Sequence, residues 1–501
     1  MGRLIRSWQY TVPFLLLVVA FAASALIMPS LVRPASDAPP ASPSVVSSPS
    51  NDLPTALPAA AAVAPDVTGT PVPGSLTPIV GSDEADSDEA DLSLLLTPAA
   101  PPPTTTPTPA PAEQARGQLP LPTADGSKLT SVLLMGYGGP GHPGMYLTDA
   151  MILAVLNPSQ KTLMLLSVPR DTWVYLPIRG TEGAWGKLNT AYAYGVNDLL
   201  FTNKLARYSG KAGGGNLAKD VTSQILDYPI QSYAALDFAT FAKAIDEIGG
   251  VDIDIPHSFS SNYASFQAGH QHLNGAKALD YARSRMVYDY PPEANDFARS
   301  RRQRQIITAF TRKLTTPESL LHLVPLLRLA NEGMSTDYHL PAVGELPGLV
   351  GSLRDLRIFE ASLTSSDYLR SSTGPNGTYI LLPAAGAGQW GQVRGLVKTL
   401  VADPELGRAI ASHEIDVVNG TDGANAAALE GYLESGGYRV RAVRKAPTQA
   451  STTIVAAQED AVLAEGLRAA FGRDGVAATV ALTGQGNPIV TFGADWQARQ
   501  R

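Results

Sequence analysis

Hydrophobic and polar positions divide the chain into four stretches. Between Ser7 and Val32 no residue is charged, and residues 14–28 are apolar apart from Ser24. As a helix, such a stretch crosses the roughly 30 Å of bilayer hydrocarbon. Arg3 and Arg6 precede it, so the positive-inside rule predicts a cytoplasmic N-terminus at 1–10, a transmembrane signal anchor at 11–32 and export of everything beyond. The small residues Ala20, Ala22, Ala23 and Ala25 also fit a processing site, which makes a cleaved signal peptide the competing reading. Both readings place the bulk outside the cytoplasm and argue against ATP as a substrate. From 33 to 125 the periodicity vanishes into Pro, Ala, Thr and Ser, with an acidic run at 83–89. That composition predicts a disordered tether spanning about 50 Å root-mean-square.

Ordered patterning begins at Leu129. Apolar runs at 132–135, 150–155 and 162–168, bounded by Gly-rich and Asn-Pro turns, predict buried strands. Helical periodicity follows at 217–226, 238–248, 275–283 and 296–314, with a strand at 251–255. This alternation predicts an α/β domain, assigned to 126–405. A second, small α/β unit is assigned to 411–495: strand 415–418, the turn Asn419-Gly420-Thr421, helix 424–434, strand 438–443, strand 452–455, helix 460–471 and strand 478–482. The glycine-rich segment 210–215 is no P-loop, because Lys211 comes before the last glycines. It is expected to be a flexible loop capped by Asn216.

Composition narrows the functional classes. Twenty of the 40 prolines lie between Arg33 and Thr123. Ten acidic residues against two arginines give the stretch from Arg33 to Gly117 a charge of −8, and Met1 to Val32 carries +2, so of the total of −7 only −1 belongs to the rest. A near-neutral, exported remainder excludes a generally basic nucleic-acid binder. Zero cysteines exclude a disulfide framework, thiolate-zinc sites and a cysteine nucleophile.

Candidate chemistry concentrates at arginines. Arg283, Arg285, Arg299, Arg301, Arg302 and Arg304 fall in 22 residues that contain no lysine. A guanidinium fork grips phosphate oxygens bidentately, where an ammonium is a point charge; a solvated helix face is the bland alternative. On a helical wheel, at about 100° per residue, Arg299 and Gln303 continue the stripe of Ile306, Phe310 and Leu314. Arg302 is intermediate, and Arg301 and Arg304 point away. An arginine on a core-directed stripe needs an anionic partner. Asp296, at the helix start, is a candidate for that partner or for the helix cap, and a bound phosphate would serve equally. Two further candidates are Arg170 and Asp171, which follow the 162–168 strand, and Asp149, which opens the 150–155 strand. Carboxyl ends of strands open onto ligand crevices, and an aspartate there suits a hard cation such as Mg²⁺. Mutual pairing of Arg170 with Asp171 and simple capping by Asp149 are the structural alternatives.

These segments together resemble the LytR-CpsA-Psr family of cell-wall phosphotransferases. The resemblance runs in order through Leu133-Leu134-Met135-Gly136-Tyr137-Gly138-Gly139, Leu147-Thr148-Asp149, Val168-Pro169-Arg170-Asp171-Thr172 and Lys187-Leu188-Asn189-Thr190-Ala191-Tyr192-Ala193-Tyr194-Gly195. It continues through Asp246-Glu247-Ile248-Gly249-Gly250-Val251-Asp252, Leu273-Asn274-Gly275-Ala276-Lys277-Ala278-Leu279, Tyr281-Ala282-Arg283-Ser284-Arg285, Asp296-Phe297-Ala298-Arg299 and Arg302-Gln303. The second α/β unit resembles the small C-terminal module that accompanies such domains. The resemblance implies a mixed central sheet flanked by helices. It also implies transfer of a glycopolymer from a polyprenyl-pyrophosphate carrier at the membrane onto peptidoglycan as a phosphodiester, with Mg²⁺ or Mn²⁺ and without nucleic acid. It gives Arg170, Arg283, Arg285, Arg299 and Gln303 the pyrophosphate, makes Arg170, Asp296 and Arg299 catalytic, and assigns Asp149 to the metal.

The sequence also departs from that pattern. Where many members carry an aspartate after the first strand, this chain has Gly136-Tyr137-Gly138-Gly139, and His142 is the candidate metal-ligating replacement, with polar surface as the alternative. His270 and His272 sit at strand spacing without an evident third ligand. No Gly-x-Ser-x-Gly elbow appears. Aromatics at 192–194 and the apolar stretch 320–329 fit a prenyl tunnel or ordinary core. A phosphohydrolase using water as acceptor and a non-catalytic wall-binding module are the alternative functions.

Overall fold

The computed structural model describes residues 129–499, apart from 141, 143, 158, 181, 285–286, 315, 339–355, 364–367 and 484–485. The anchor and tether expected at 11–32 and 33–125 lie outside the described residues. Among the described residues no helix is long and apolar enough to cross a membrane.

A six-stranded mixed sheet forms the centre, in the order Met334–Thr336, Ser232–Asp237, Thr130–Tyr137, Thr148–Asn157, Thr162–Ser167, Arg357–Ser362. Thr148–Asn157 runs antiparallel to both its neighbours. Thr130–Tyr137 is parallel to Ser232–Asp237, and Thr162–Ser167 to Arg357–Ser362. The central strands read as unbroken apolar runs because each face has its own core. Leu133, Met135, Met151, Leu153, Val155, Met164 and Leu166 join one core. Val132, Leu134, Ile152, Ala154, Leu156, Leu163 and Leu165 join the other. Side chains two apart point the same way, so every second residue is committed to the same layer.

The first face packs on the helix Gly213–Leu226 through Leu217, Val221 and Ile225. This helix starts at Gly213, so the expected flexible loop is corrected: Gly213, Gly214 and Gly215 form its buried first turn. The reason is close approach. A Cβ on Gly195 would stand 2.3 Å from the Gly213 carbonyl oxygen, and one on Gly215 would stand 2.1 Å from the Tyr233 ring. The second face is covered by Phe238–Glu247, Gly275–Arg283, Asp296–Lys313 and Leu323–Gly333, which supply Phe241, Ala278, Phe310 and Leu326.

A five-stranded sheet follows, in the order Arg439–Lys445, Glu414–Asn419, Ile489–Phe492, Thr453–Ala456, Thr479–Leu482. Its apolar side is continuous with the first core through Val393, Leu396 and Leu400 of the helix Gly391–Ala402. Tyr368 donates its hydroxyl to the Gly437 carbonyl at 3.0 Å, and Arg394 donates to the Gln224 and Ile225 carbonyls at 2.9 and 3.3 Å. The strand Ile489–Phe492 and the helices Gly391–Ala402 and Pro404–Ser412 add to the elements expected from the sequence.

Candidate functional site

Topology gathers the strand-borne candidates Asp149, Arg170 and Asp171 on one rim. Thr130–Tyr137, Thr162–Ser167, Ser232–Asp237 and Arg357–Ser362 point the same way, so their carboxyl ends meet the amino end of Thr148–Asn157. Such a rim is where α/β sheets open onto ligands. Gly136 pairs with Ala150 but Tyr137 pairs with Thr148, which leaves Asp149 as the extra residue of a bulge. Bulges re-aim a side chain at a sheet edge.

Asp149 receives a hydrogen bond from Arg170 Nη1 at 2.7 Å, with both side chains buried. Arg170 Nε lies 3.4 Å from Asp171 Oδ2, and Lys187 Nζ lies 2.9 Å from Asp171 Oδ1. Acid and base alternate from Asp149 to Lys187, and each charge is compensated by the next. The expected Arg170–Asp171 contact is therefore longer than the one Arg170 makes with Asp149. Asn189 locks the arrangement: its N–H donates to the Arg170 carbonyl at 3.1 Å, and its own carbonyl accepts from the Thr148 N–H at 3.1 Å. Sequence reasoning passed over Asn189 as a site residue, although it lies inside the Lys187-Leu188-Asn189 motif.

Helices supply the other half. Ala150, Phe238 and Leu279 form a small apolar cluster that holds the Gly275–Arg283 helix against the Asp149 strand. Arg283, at the end of that helix, donates to Asp280 Oδ1 at 2.7 Å, and its guanidinium lies 4.3 Å from the Tyr263 ring centroid and 5.8 Å from that of Phe238. His142 packs edge-on against Phe238, with ring centroids 5.3 Å apart. A Cβ on Gly138 would stand 2.5 Å from the imidazole, so only glycine leaves room for the ring. The His142 Nε2 is buried with no hydrogen-bond partner among the described residues. Burial, then the Arg283 charge, push its pKa below the usual value and favour the neutral ring.

In the Asp296–Lys313 helix, Arg299 and Gln303 are buried, as the wheel predicts. The Gln303 Nε2 has no hydrogen-bond partner among the described residues. Two expectations are corrected. The helix cap is Asn295, whose side chain accepts from the Ala298 N–H at 2.8 Å, and the Asp296 side chain lies outside the described residues. Arg304 does not point away: its Nη1 donates to Ser167 Oγ at 2.8 Å and its Nε lies 3.3 Å from Glu360 Oε2. That contact presses the helix against the strand end that leads into Arg170. Arg302 is fully buried, donating to the Tyr281 carbonyl at 3.1 Å and to the Ser284 carbonyl. Arg285 falls outside the described residues.

A divalent ion was expected at Asp149 and His142. Among the described residues no group of three or more His, Asp or Glu is placed to hold a metal. Asp149 contributes one carboxylate, which suits an ion completed by substrate phosphates and water. His270 and His272 instead pair across their strands with Asp254 at 2.9 Å and Asp252 at 2.7 Å.

Residues 108–377 match the model of the LytR_cpsA_psr family. The polyisoprenyl-teichoic acid–peptidoglycan teichoic acid transferase TagV of Bacillus subtilis is 31% identical over 266 residues, 51% of this chain and 61% of the relative. The corresponding transferase TagU of Enterococcus faecalis is 31% identical over 209 residues, covering 41% and 61%. The chain thus spans about three-fifths of the length of these curated relatives. The crystal structure of B. subtilis TagV aligns over 55% of this chain and 98% of that one, at 30% identity and a TM-score of 0.42.

Proposed function

The chain belongs to the LytR_cpsA_psr family, and from that premise we propose that it is a phosphotransferase that moves a glycopolymer from a polyprenyl-pyrophosphate carrier onto peptidoglycan as a phosphodiester. The relatives' names support the substrate class. The observation that carries the reading is the buried Asp149–Arg170–Asp171 set at the strand rim, with Arg283 on the helix beside it.

An acceptor hydroxyl oxygen attacks the phosphorus that bears the glycopolymer. A new P–O bond forms, the bridging P–O bond breaks, polyprenyl monophosphate leaves, and the hydroxyl proton passes to a base. Arg170, Arg283 and Arg299, with Gln303, hold the diphosphate and offset the charge that grows on the leaving phosphate. Arg285 belongs to the same proposal. Asp149 and Asp171 orient Arg170. A Mg²⁺ or Mn²⁺ ion held by Asp149 would supply further charge neutralisation. The proposal includes a membrane anchor at 11–32 and an extracytoplasmic domain on the tether, supported by the uncharged stretch from Ser7 to Val32.

The test is to incubate the purified chain with a short prenyl-pyrophosphate-linked glycan, Mg²⁺ and peptidoglycan fragments. Release of prenyl monophosphate with phosphodiester-linked product is expected, reduced about 100-fold by Arg170→Ala or Arg299→Ala. Release without linked product makes the protein a phosphohydrolase. No turnover at all leaves a wall-binding module.

A further inference from the structure

Among the described residues the most exposed large apolar side chain is Leu199, at 93%, and its neighbours Leu200 and Leu205 are 41% and 38% exposed. All three stand on the loop between the helix Thr190–Val196 and the short turn Ala206–Tyr208. Phe201 anchors this loop to the edge of the first core, its ring centroid 4.1 Å from that of Tyr194. Asn197 accepts the Leu200 N–H on its side chain at 2.9 Å and the Phe201 N–H on its carbonyl at 3.2 Å. Lys204 Nζ donates to the Tyr194 and Gly195 carbonyls at 2.8 and 2.7 Å and pairs with Asp198 at 2.7 Å. Leu205 donates its N–H to the Ile178 carbonyl at 3.0 Å, which ties the loop to the hairpin of Trp173–Arg179 and Glu182–Lys187. These bonds hold the loop in one shape while its leucines face solvent, and apolar side chains gathered in that way mark a contact surface.

We propose that Leu199, Leu200 and Leu205 form a membrane-contact element that dips into the headgroup layer of the bilayer carrying the donor. This rests on the phosphotransferase reading, in which the donor is a lipid, and names the surface that meets that lipid's membrane. An apolar tip with cations at its border is the pattern of a segment lying in the membrane interface. Asp198 is compensated by Lys204 at 2.7 Å and Asp220 by Arg207 at 2.6 Å. Around the tip that leaves the exposed Arg179 and Lys211 against Glu182. Arg179 reaches the loop through the Thr202 carbonyl at 3.5 Å, and Lys211 follows Gly210, whose N–H donates to Asp198 Oδ2 at 2.8 Å. The small positive excess suits anionic headgroups. The helix Thr190–Val196 begins directly after Asn189, the residue that locks Arg170 at the rim, and its seven residues set the loop about 10 Å further along the helix axis. The tether expected at 33–125 sets only a maximum distance from the bilayer, whereas a leucine contact on the folded domain fixes the rim near its surface.

The chain has no cysteine, so Leu199→Cys gives a single attachment point for an environment-sensitive fluorophore in the full chain, reconstituted into vesicles of mixed anionic and zwitterionic phospholipid. The label is expected to shift to the blue and to be quenched by nitroxide carried on the lipid. A label at Ala477→Cys, exposed on the second α/β unit, should stay in water. Absent quenching at 199, or equal quenching at both sites, overturns the contact. So does a blue shift that appears without vesicles as protein concentration rises, which assigns the leucines to a second copy, or one that requires soluble peptidoglycan strands instead. Leu199→Ser should raise the KM for a long-chain donor in the vesicles about tenfold, the size of one leucine side chain moved out of water, and leave turnover of a short, water-soluble donor unchanged. An unaltered KM for the long-chain donor counts against the contact. Lipid quenching at 199 without any donor turnover would sink the phosphotransferase reading and leave the membrane contact standing; turnover without quenching would do the reverse.

Discussion

Replacing Arg302 with methionine tests whether this arginine is structural, unlike Arg299 one turn earlier on the same helix. Arg302 has no exposed surface and donates to the carbonyls of Tyr281 and Ser284. Those carbonyls lie at the carboxyl end of the Gly275–Arg283 helix, where a helix runs out of its own donors. Its guanidinium also lies 5.1 Å from the Phe259 ring centroid. Methionine preserves much of the volume and removes the donors. Two hydrogen bonds from a charged group contribute about 1.5–2 kcal/mol each, and the aromatic contact about 1 kcal/mol. Arg302→Met should therefore lose about 4–5 kcal/mol, which for a domain of this size lowers the melting temperature by about 10 °C. The exposed Arg312 of the same helix is the control, and Arg312→Met should change stability by less than about 0.5 kcal/mol. Differential scanning calorimetry of both variants reads the contrast. If Arg302→Met melts within 2 °C of wild type (a threshold on the order of the control's expected shift), Arg302 does not hold the helix end that presents Arg283.

Other variants probe separate links. Gly195→Ala, whose Cβ would meet the Gly213 carbonyl at 2.3 Å, should destabilise the chain by about 3 kcal/mol in chemical denaturation. Burial, then Glu430, push the Glu434 carboxyl up to about 7. Its stabilising contribution is fully present below the ordinary carboxylate pKa and is lost as pH rises through about 7. Glu434→Gln should accordingly melt near the wild-type temperature in acid and above it at pH about 8. For His142, with its pKa pushed down, the contribution is fully present above about pH 6.5 and is lost as pH falls through the depressed value. An NMR titration should place its midpoint below that of a free imidazole, and His142→Gln should flatten the melting profile on the acid side.

The central strands were legible because burial on both faces writes a plain apolar run, and the helices of the second face because each has a single dominant stripe. Arg299 and Gln303 were placed correctly by the same stripe. Arg304 was not, because a wheel knows one core direction, whereas the Asp296–Lys313 helix is wedged between the sheet rim and the Gly275–Arg283 helix, and long guanidinium arms reach either way. The turn 213–215 was hidden for a related reason. Glycine argues against helix locally, but the contact of Gly195 with Gly213 and of Gly215 with Tyr233 requires residues without a Cβ. The bond between Asp149 and Arg170 depends on antiparallel pairing of two strands and on a bulge, neither of which leaves a local mark.

The most direct measurement is a crystal structure of the chain with a short prenyl diphosphate and Mg²⁺. Guanidinium groups of Arg170, Arg283 and Arg299 should all contact the same diphosphate, with Asp149 near the ion. A diphosphate bound elsewhere, or held by Arg170 alone while Arg283 stays with Asp280 and Arg299 makes no contact with it, would contradict the account.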